Sequence, residues 1–418
     1  MSLETESSES KSQDEQDLEP ILEVTSNAAA PSCTSYALAM LTIAYIFNFA
    51  DRTVLGVIQE SIKKDLNLTD TKLGILSGFS FGMVYVTAGL PISYAADHWN
   101  RRNIIVLSVA TWSFMTTLSG VAWSYPLLLF ARLGVAIGEA GGTPPALSMI
   151  SDLFSPEQRT TKIAIYCCGP FLGIAVGNSF GGYTAAQLGW RASFFVLGIP
   201  GMIFAIIFRL TVQEPIRGYW DHDQKATHKP NIYETLLLLQ KMRSFWLACT
   251  AGGFVAVIGY GNGGFFASFL IRNHGMTPGH VGLLLAGIGV TSGPIGMFLA
   301  GRIGDKLFLV DRRWLLWLPA ISSAMYLLVA LPCYLHSNVF VVAVSYGVGN
   351  AIGFSFVPLL LSLGQAMVPP SMRALMTATF YFILNLLGMG GGPLAVGMIS
   401  DLLKPIYGDD SLRRAMFR

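Results

Sequence analysis

Charge is scarce in this sequence. Asp, Glu, Lys and Arg make up 12% of the 418 residues, about half the share of an ordinary soluble domain. A chain with so little charge does not present most of its surface to water. The formal net charge is +2, and the basic residues are scattered over short loops rather than gathered in one patch, which excludes nucleic acid as a partner. Five cysteines are present: Cys33 in a polar tail, Cys167, Cys168, Cys249 and Cys333 in apolar stretches. That pattern offers neither a disulfide framework nor metal-ligand spacing. No HExxH, P-loop or dinucleotide glycine motif occurs, and no nucleophile is paired with a base. Enzyme chemistry has no foothold, and no cofactor is expected. A signal peptide's basic start is lacking too. Instead Glu4, Glu6, Glu9, Asp14, Glu15, Asp17, Glu19 and Glu23 make the first 35 residues an acidic tail, expected to be disordered.

What fills the rest is apolar sequence. Hydrophobic residues account for 52% of the chain. Eleven runs approach the roughly 20 residues that cross a bilayer, at about 36–60, 72–96, 103–122, 126–150, 161–185, 192–212, 244–271, 279–301, 314–333, 338–366 and 373–400. The fold class is an all-α polytopic membrane protein. A polar linker over 213–243 separates a six-span unit, 36–212, from a second unit, 244–418. The second unit stops at SLRRAMFR, where a twelfth span would begin, and is expected to be truncated there. Lys and Arg crowd one set of loops, among them Arg101, Arg102, Arg159, Lys162, Arg209, Arg217, Arg302, Lys306, Arg312, Arg313 and Arg373. The positive-inside rule puts that set, and the N-terminus, in the cytoplasm. A plasma or inner membrane is the expected location, with a monomer as the expected state.

Inside the spans, four ionisable groups lie far from any end: Asp51 and Arg52 in span one, Arg132 and Glu139 in span four. A charge at bilayer depth costs about 2.5–3.5 kcal/mol on insertion scales, so each must face a partner or a water-filled cavity. Arg132 and Glu139, seven residues apart, share a helix face about 10 Å along the axis. Asp51 and Arg52 point about 100° apart and cannot pair with each other. The economical arrangement crosses helices, bringing Asp51 near Arg132 or Glu139. Burial raises a carboxylate's proton affinity and a neighbouring Arg lowers it, so a group whose partner changes between two states can couple a proton. Glu139, supported by Asp51, is the expected coupling carboxylate. Arg132 tunes it or engages an anionic headgroup, and Arg52 is expected as a gating partner. The alternative is a static charge network that only locks spans one and four together. Gly141, Gly142, Pro144 and Pro145 should loosen span four one turn beyond Glu139.

The halves echo each other. SYAADHWNRR (Ser93–Arg102) follows span two and GRIGDKLFLVDRR (Gly301–Arg313) follows span eight, each placing an Asp just past a helix end and basic residues after it. Such a repeat indicates parallel duplication. Asp97, Arg101, Arg102 and Asp305 are therefore candidate gate residues on the cytoplasmic side, joined by Asp152 and Arg159 beyond span four. The second half has no mid-span charge, so an apolar wall for an amphiphile's tail is expected there, lined by Phe265, Phe266, Phe354, Phe380 and Tyr381, with Asn262, Asn350 and Asn385 as polar handles. Packing alone would account for most of those aromatics.

The 6+6 plan and the loop motif resemble the major facilitator superfamily of secondary transporters, whose pattern is Gly-x-x-x-Asp-Arg-x-Gly-Arg-Arg. Asp97, Arg101 and Arg102 match it; Ser93, His98 and Asn100 depart from it. FNFADRTVLGVIQE (Phe47–Glu60), RLGVAIGEAGGTPPALSMISDLF and GWRASFFVLGIPG (Gly189–Gly201) are similar to the Spinster family. CCGPFLGIAVGNSFGGY is similar to an antiporter motif of exporters. The resemblance implies a major facilitator fold of two pseudo-symmetric six-helix bundles and proton-linked movement of lysophospholipids or sphingosine-phosphate-like lipids. The expected function is a proton-coupled transporter of lysophospholipid-like amphiphiles. A small organic-anion or drug transporter is the first alternative. A ligand-binding membrane sensor is the second, and the duplicated gates argue against it.

Overall fold

Long helices at bilayer length dominate the computed structural model, which describes residues 34–217, 219–220, 232–311, 313–366, 368 and 373–417. Residues 1–33 of the acidic tail, and residues 218 and 221–231 of the 213–243 linker, lie outside the described residues. Eleven spans are present among the described residues, in the order expected. The first bundle comprises α1 (Thr34–Leu66), α2 (Asp70–Gly74, running through a π-turn Ile75–Phe79 into Ser80–His98), α3 (Arg101–Gly120), α4 (Tyr125–Ala140 and Thr143–Leu153), α5 (Pro156–Cys167 and Gly169–Leu188) and α6 (Trp190–Thr211). The second comprises α7 (Arg243–His274), α8 (Pro278–Val310), α9 (Trp314–Leu335), α10 (Val339–Ala366) and α11 (Arg373–Asn385, through a π-turn Leu386–Gly391 into Gly392–Tyr407). A short helix, Ser411–Phe417, ends the described chain, and another, Ile232–Lys241, lies inside the stretch expected to be pure linker.

Ten of these helices are long and apolar enough to cross a membrane by length and composition. The exception is α4. Its ladder breaks at Gly141 and Gly142, whose N–H groups bond back to Gly138 and Glu139 at 3.2 and 3.1 Å. The following Pro144 and Pro145 cannot donate, so the helix restarts at Thr143 rather than continuing. Spans two and eight instead run further than the sequence suggested. Asp97 and Asp305, expected just past a helix end, belong to α2 and α8, which continue to His98 and Val310.

Small residues set the packing. Gly169, Gly173 and Gly177 of α5 lie against the backbone or Cβ atoms of Thr42, Tyr45, Ile46, Phe49 and Ala50 of α1, leaving no room for larger side chains. Between the bundles, Gly182 of α5 meets Gly282 of α8, while Gly74, Gly78 and Gly82 of α2 meet Pro393, Met389 and Gly390 of α11. The two seams are related by the duplication. The turn after α1 reads Asn67-Leu68-Thr69-Asp70 and that after α7 reads Gly275-Met276-Thr277-Pro278. Asn67 and Gly275 both adopt positive φ, at 49° and 62°, the left-handed conformation that stops a helix. Thr69 and Thr277 then cap the next helix through the N–H groups of Lys72 and His280. This second repeat is legible in the sequence once its capping role is known.

Candidate functional site

The four mid-span charges converge where α1, α3 and α4 meet. Arg52 grips Glu139, its Nη2 donating to Oε2 at 2.7 Å and its Nε to the same oxygen at 3.1 Å. Glu139 is fully buried, whereas 19% of the Arg52 side chain is exposed. The guanidinium is held over three rings, Phe49 at 4.8 Å, Tyr85 at 5.0 Å and Phe81 at 5.2 Å, a cation–π setting that offsets part of its lost hydration. Tyr260 of α7 is near enough to interact with it electrostatically, so this pair faces the second bundle.

Asp51 and Arg132 lie behind that pair. Asp51 is 1% and Arg132 2% exposed. Thr116 of α3 donates to Asp51 Oδ2 at 3.1 Å. Arg132 Nη1 donates to the backbone carbonyl of Asp51 at 3.3 Å, and its guanidinium interacts electrostatically with both acids. The sequence suggests Arg132 as Glu139's tuner or a headgroup ligand, and Arg52 as a gating partner. Here Arg52 holds the direct ion pair, and Arg132 interacts electrostatically with both carboxylates without a direct ion pair among the described residues. A single residue step on α1 decides this, because the 100° turn from Asp51 to Arg52 sends the first toward α3 and the second toward α4 and the cavity. Asp51 Oδ1, Arg132 Nε and Glu139 Oε1 are buried without a hydrogen-bond partner among the described residues. Two acids and two guanidiniums balance in charge, yet the set retains unused donor and acceptor capacity.

On the face carrying the basic loops, Arg101 is 1% exposed. It donates to Asp152, to Glu214 Oε1 at 2.8 Å, to Ser148 at 2.9 Å and to the Pro215 carbonyl at 3.0 Å. The Arg102 N–H bonds Glu214 Oε2 at 2.7 Å, Arg159 donates to the Ser151 carbonyl at 2.7 Å, and Arg217 to the Ala96 and Trp99 carbonyls. Of the expected gate residues, Arg101 and Asp152 are brought together, with Arg102 beside them. The side chains of Asp97 and Asp305 lie outside those described. Every described bond of this cluster stays within the first bundle. Sequence reading passed over Glu214 because it sits in what looks like linker.

The opposite face carries side-chain hydrogen bonds and ion pairs that cross between bundles. Arg272 of α7 forks onto Asp70 with bonds of 2.9 and 2.7 Å and reaches Glu60 at 2.8 Å. Lys63 adds a 2.6 Å bond to Asp70 and Ser400 one of 2.7 Å. Asp401 of α11 accepts the N–H groups of Asp70 and Thr71 at 3.1 and 2.8 Å, capping the start of α2 from the other bundle. Gln59 donates to the Gly264 carbonyl at 2.6 Å and to Ser268 at 3.1 Å. None of these was singled out in the sequence, where charges at span ends look like interfacial anchors.

The expected tail-binding wall divides. Phe265 and Phe266 are fully buried and Phe380 is 2% exposed. Phe266 stacks on Tyr346 with centroids 3.5 Å apart. These three are packing residues rather than an open wall: Phe265 and Phe266 of α7 pack in a core with residues of α1 and α10, and Phe380 of α11 packs in another with Phe245, Cys249 and Met376. Asn262 is also buried. Phe354, Asn350 and Asn385 are partly buried and Tyr381 is exposed, and Phe354 meets Phe171 of α5 edge-on at 6.4 Å.

A family model, the Major Facilitator Superfamily, matches residues 41–393. An MFS-type efflux pump of Mycolicibacterium smegmatis is 30% identical over 393 residues, covering 91% of this chain and 87% of its own. Protein spinster of Drosophila melanogaster is 26% identical over 388 residues, covering 88% of this chain and 62% of its own. Among solved structures, a bacterial homologue of the human lysosomal transporter Spinster, inward-facing and unoccupied, superposes with a TM-score of 0.85 and 29% identity. It covers 93% of this chain and 94% of that one.

Proposed function

The chain belongs to the Major Facilitator Superfamily, in its Spinster-like branch, as a transporter and not an enzyme, and we propose that it moves lysophospholipid-like amphiphiles by proton-coupled alternating access. The observation that carries this reading is the Arg52–Glu139 pair at the cavity edge, 2.7 Å apart with the guanidinium 19% exposed. A proton arriving on Glu139 removes its charge and releases Arg52. The freed guanidinium then takes an anionic headgroup, for which its planar fork is suited. Loss of the proton restores the pair and expels the headgroup. Arg132, interacting with both buried acids, keeps the set balanced during the exchange.

The uneven distribution of charge supports an amphiphile. All four mid-span charges lie in the first bundle, and α7 to α11 offer aromatic and amide side chains instead. In this picture the headgroup is held by α1 and α4 and the tail lies against the second bundle, near Phe354 and Tyr381. By the positive-inside rule the basic face is cytoplasmic, with the N-terminus on that side of a plasma or inner membrane. The conformation is then closed outward, by Arg272, Asp70 and Asp401. The test is reconstitution in liposomes with labelled lysophospholipid, with and without a pH gradient. Gradient-dependent uptake is expected. Uptake blind to the gradient would reduce the protein to facilitated diffusion, and no uptake of any lysolipid would favour a small organic anion.

A further inference from the structure

Tyr260 of α7 stands in the second bundle where Arg52 of α1 stands in the first. Each lies 15 residues before the residue of positive φ that ends its helix, Asn67 or Gly275, which is about 22 Å along the axis. The same register matches Gly74 with Gly282, each packed at a seam between the bundles, and Asp97 with Asp305. The duplication therefore puts Arg52 and Tyr260 at one depth, on corresponding faces of α1 and α7.

Their surroundings show that both face the same space. Tyr260 interacts electrostatically with Arg52 of α1, Tyr85 of α2 and Tyr381 of α11. Its ring lies against Gly388 in the π-turn of α11, leaving no room for a side chain there. Tyr85 is also one of the three rings around the Arg52 guanidinium, at 5.0 Å. Groups from α1, α2 and α11 thus enclose Tyr260 on every side, yet the residue is 42% exposed. A side chain enclosed by protein and still open to solvent faces an internal cavity and not lipid. Its hydroxyl makes no hydrogen bond among the described residues.

We propose that Tyr260 is the second bundle's ligand for the headgroup, its hydroxyl donating to the same anionic phosphate that Arg52 takes. The proposal rests on the amphiphile-transport reading above and names a specificity-determining residue for it. A phosphate offers several acceptor oxygens, so the guanidinium fork and the phenol O–H hold different ones at once. The phenol donates without carrying a charge, and so adds a contact without a further cation to be balanced inside the membrane. A headgroup held this way is gripped by both bundles at the depth of the Arg52–Glu139 pair. An uncharged headgroup gains less from Tyr260, because a hydrogen bond to an anion is about twice as strong as one to a neutral acceptor.

The test is Tyr260→Phe, which keeps the ring on Gly388 and removes only the hydroxyl, in full-length protein reconstituted in liposomes. Exchange of labelled for unlabelled lysophosphatidylglycerol is measured without a pH gradient, alone and against the monoacylglycerol of the same acyl chain, which lacks the phosphate. KM for the lysolipid should rise about tenfold, the low end of what a hydrogen bond to a charged group is worth, with the maximal rate within about twofold of wild type. Inhibition by the monoacylglycerol should change by less than about twofold. An unchanged KM overturns the proposal. Equal weakening of lysolipid and monoacylglycerol also overturns it, because Tyr260 then shapes the cavity and does not read the anion. Wild-type protein that exchanges no lysophosphatidylglycerol overturns the transport reading itself, and this ligand with it.

Discussion

On the face opposite the basic loops, Arg272 reaches from the second bundle to Glu60 and Asp70 of the first. On the basic face, Arg101 reaches Asp152 and Glu214 without leaving its own bundle. Both are guanidiniums shared between two carboxylates, Arg101 buried and Arg272 partly so. They differ in what they join. The first clamps two bodies together, so its strength sets how readily that face opens. The second braces α3, α4 and the segment after α6 into one body, so its strength sets how rigidly the first bundle moves. Alternating access needs both: rigid halves, and contacts between them that can be exchanged. Asp401 sharpens the contrast, because the start of α2 is capped by a residue of the other bundle and must find water when the bundles part.

The comparison can be broken most forcefully at Arg272. Arg272→Ala leaves Glu60 and Asp70, 5% and 1% exposed, facing each other with Lys63 as their remaining cation. Breaking a buried pair in this way costs about 3–5 kcal/mol. The distance between spin labels at Lys64 and Asp409, one per bundle on this face, should lengthen in most molecules. Arg101→Ala should cost somewhat less, about 2–4 kcal/mol, since Asp152 and Glu214 are nearer water. It should lower the thermal midpoint while leaving the Lys64–Asp409 distance distribution unchanged. A lengthened distance there would refute the division between clamp and brace. Asp401→Asn keeps an acceptor but loses the charge facing two N–H groups. A shift of about 1 kcal/mol toward the open face is expected, visible as a minor population of long distances. Smallest is Asp65→Asn, which cuts an exposed pair with Arg191 within the first bundle. It should move neither midpoint nor distance by more than about 0.5 kcal/mol.

The spans were legible in the sequence because an uninterrupted apolar run of bilayer length would be insoluble as anything but a membrane helix. The four mid-span charges were legible for the complementary reason, that lipid penalises them. Their pairing was not. Whether Glu139 meets Arg52 or Arg132 depends on the rotation of α1 against α4, which is set by the glycines of α5 packed on α1 and not by spacing within either helix. The break in α4 could be read from Gly141, Gly142, Pro144 and Pro145. Which of the aromatics expected on the second wall are packing was not legible, because an aromatic residue suits a ligand wall and a packed seam equally well; Phe265, Phe266 and Phe380 are buried in the seam. The Asp70–Arg272–Asp401 clamp went unseen because charges near span ends are common as anchors, and only the docking of α2 on α11 and of α1 on α7 brings these together.

The central claim is that Glu139 exchanges Arg52 for a proton. It is tested most directly by comparing Glu139→Gln with wild type in liposomes loaded with labelled lysophospholipid, measuring gradient-driven uptake beside gradient-free exchange. The glutamine keeps the side chain's shape and cannot cycle a proton. The account predicts that driven uptake loses its response to the pH gradient while exchange persists. Full gradient-driven uptake by Glu139→Gln would contradict it.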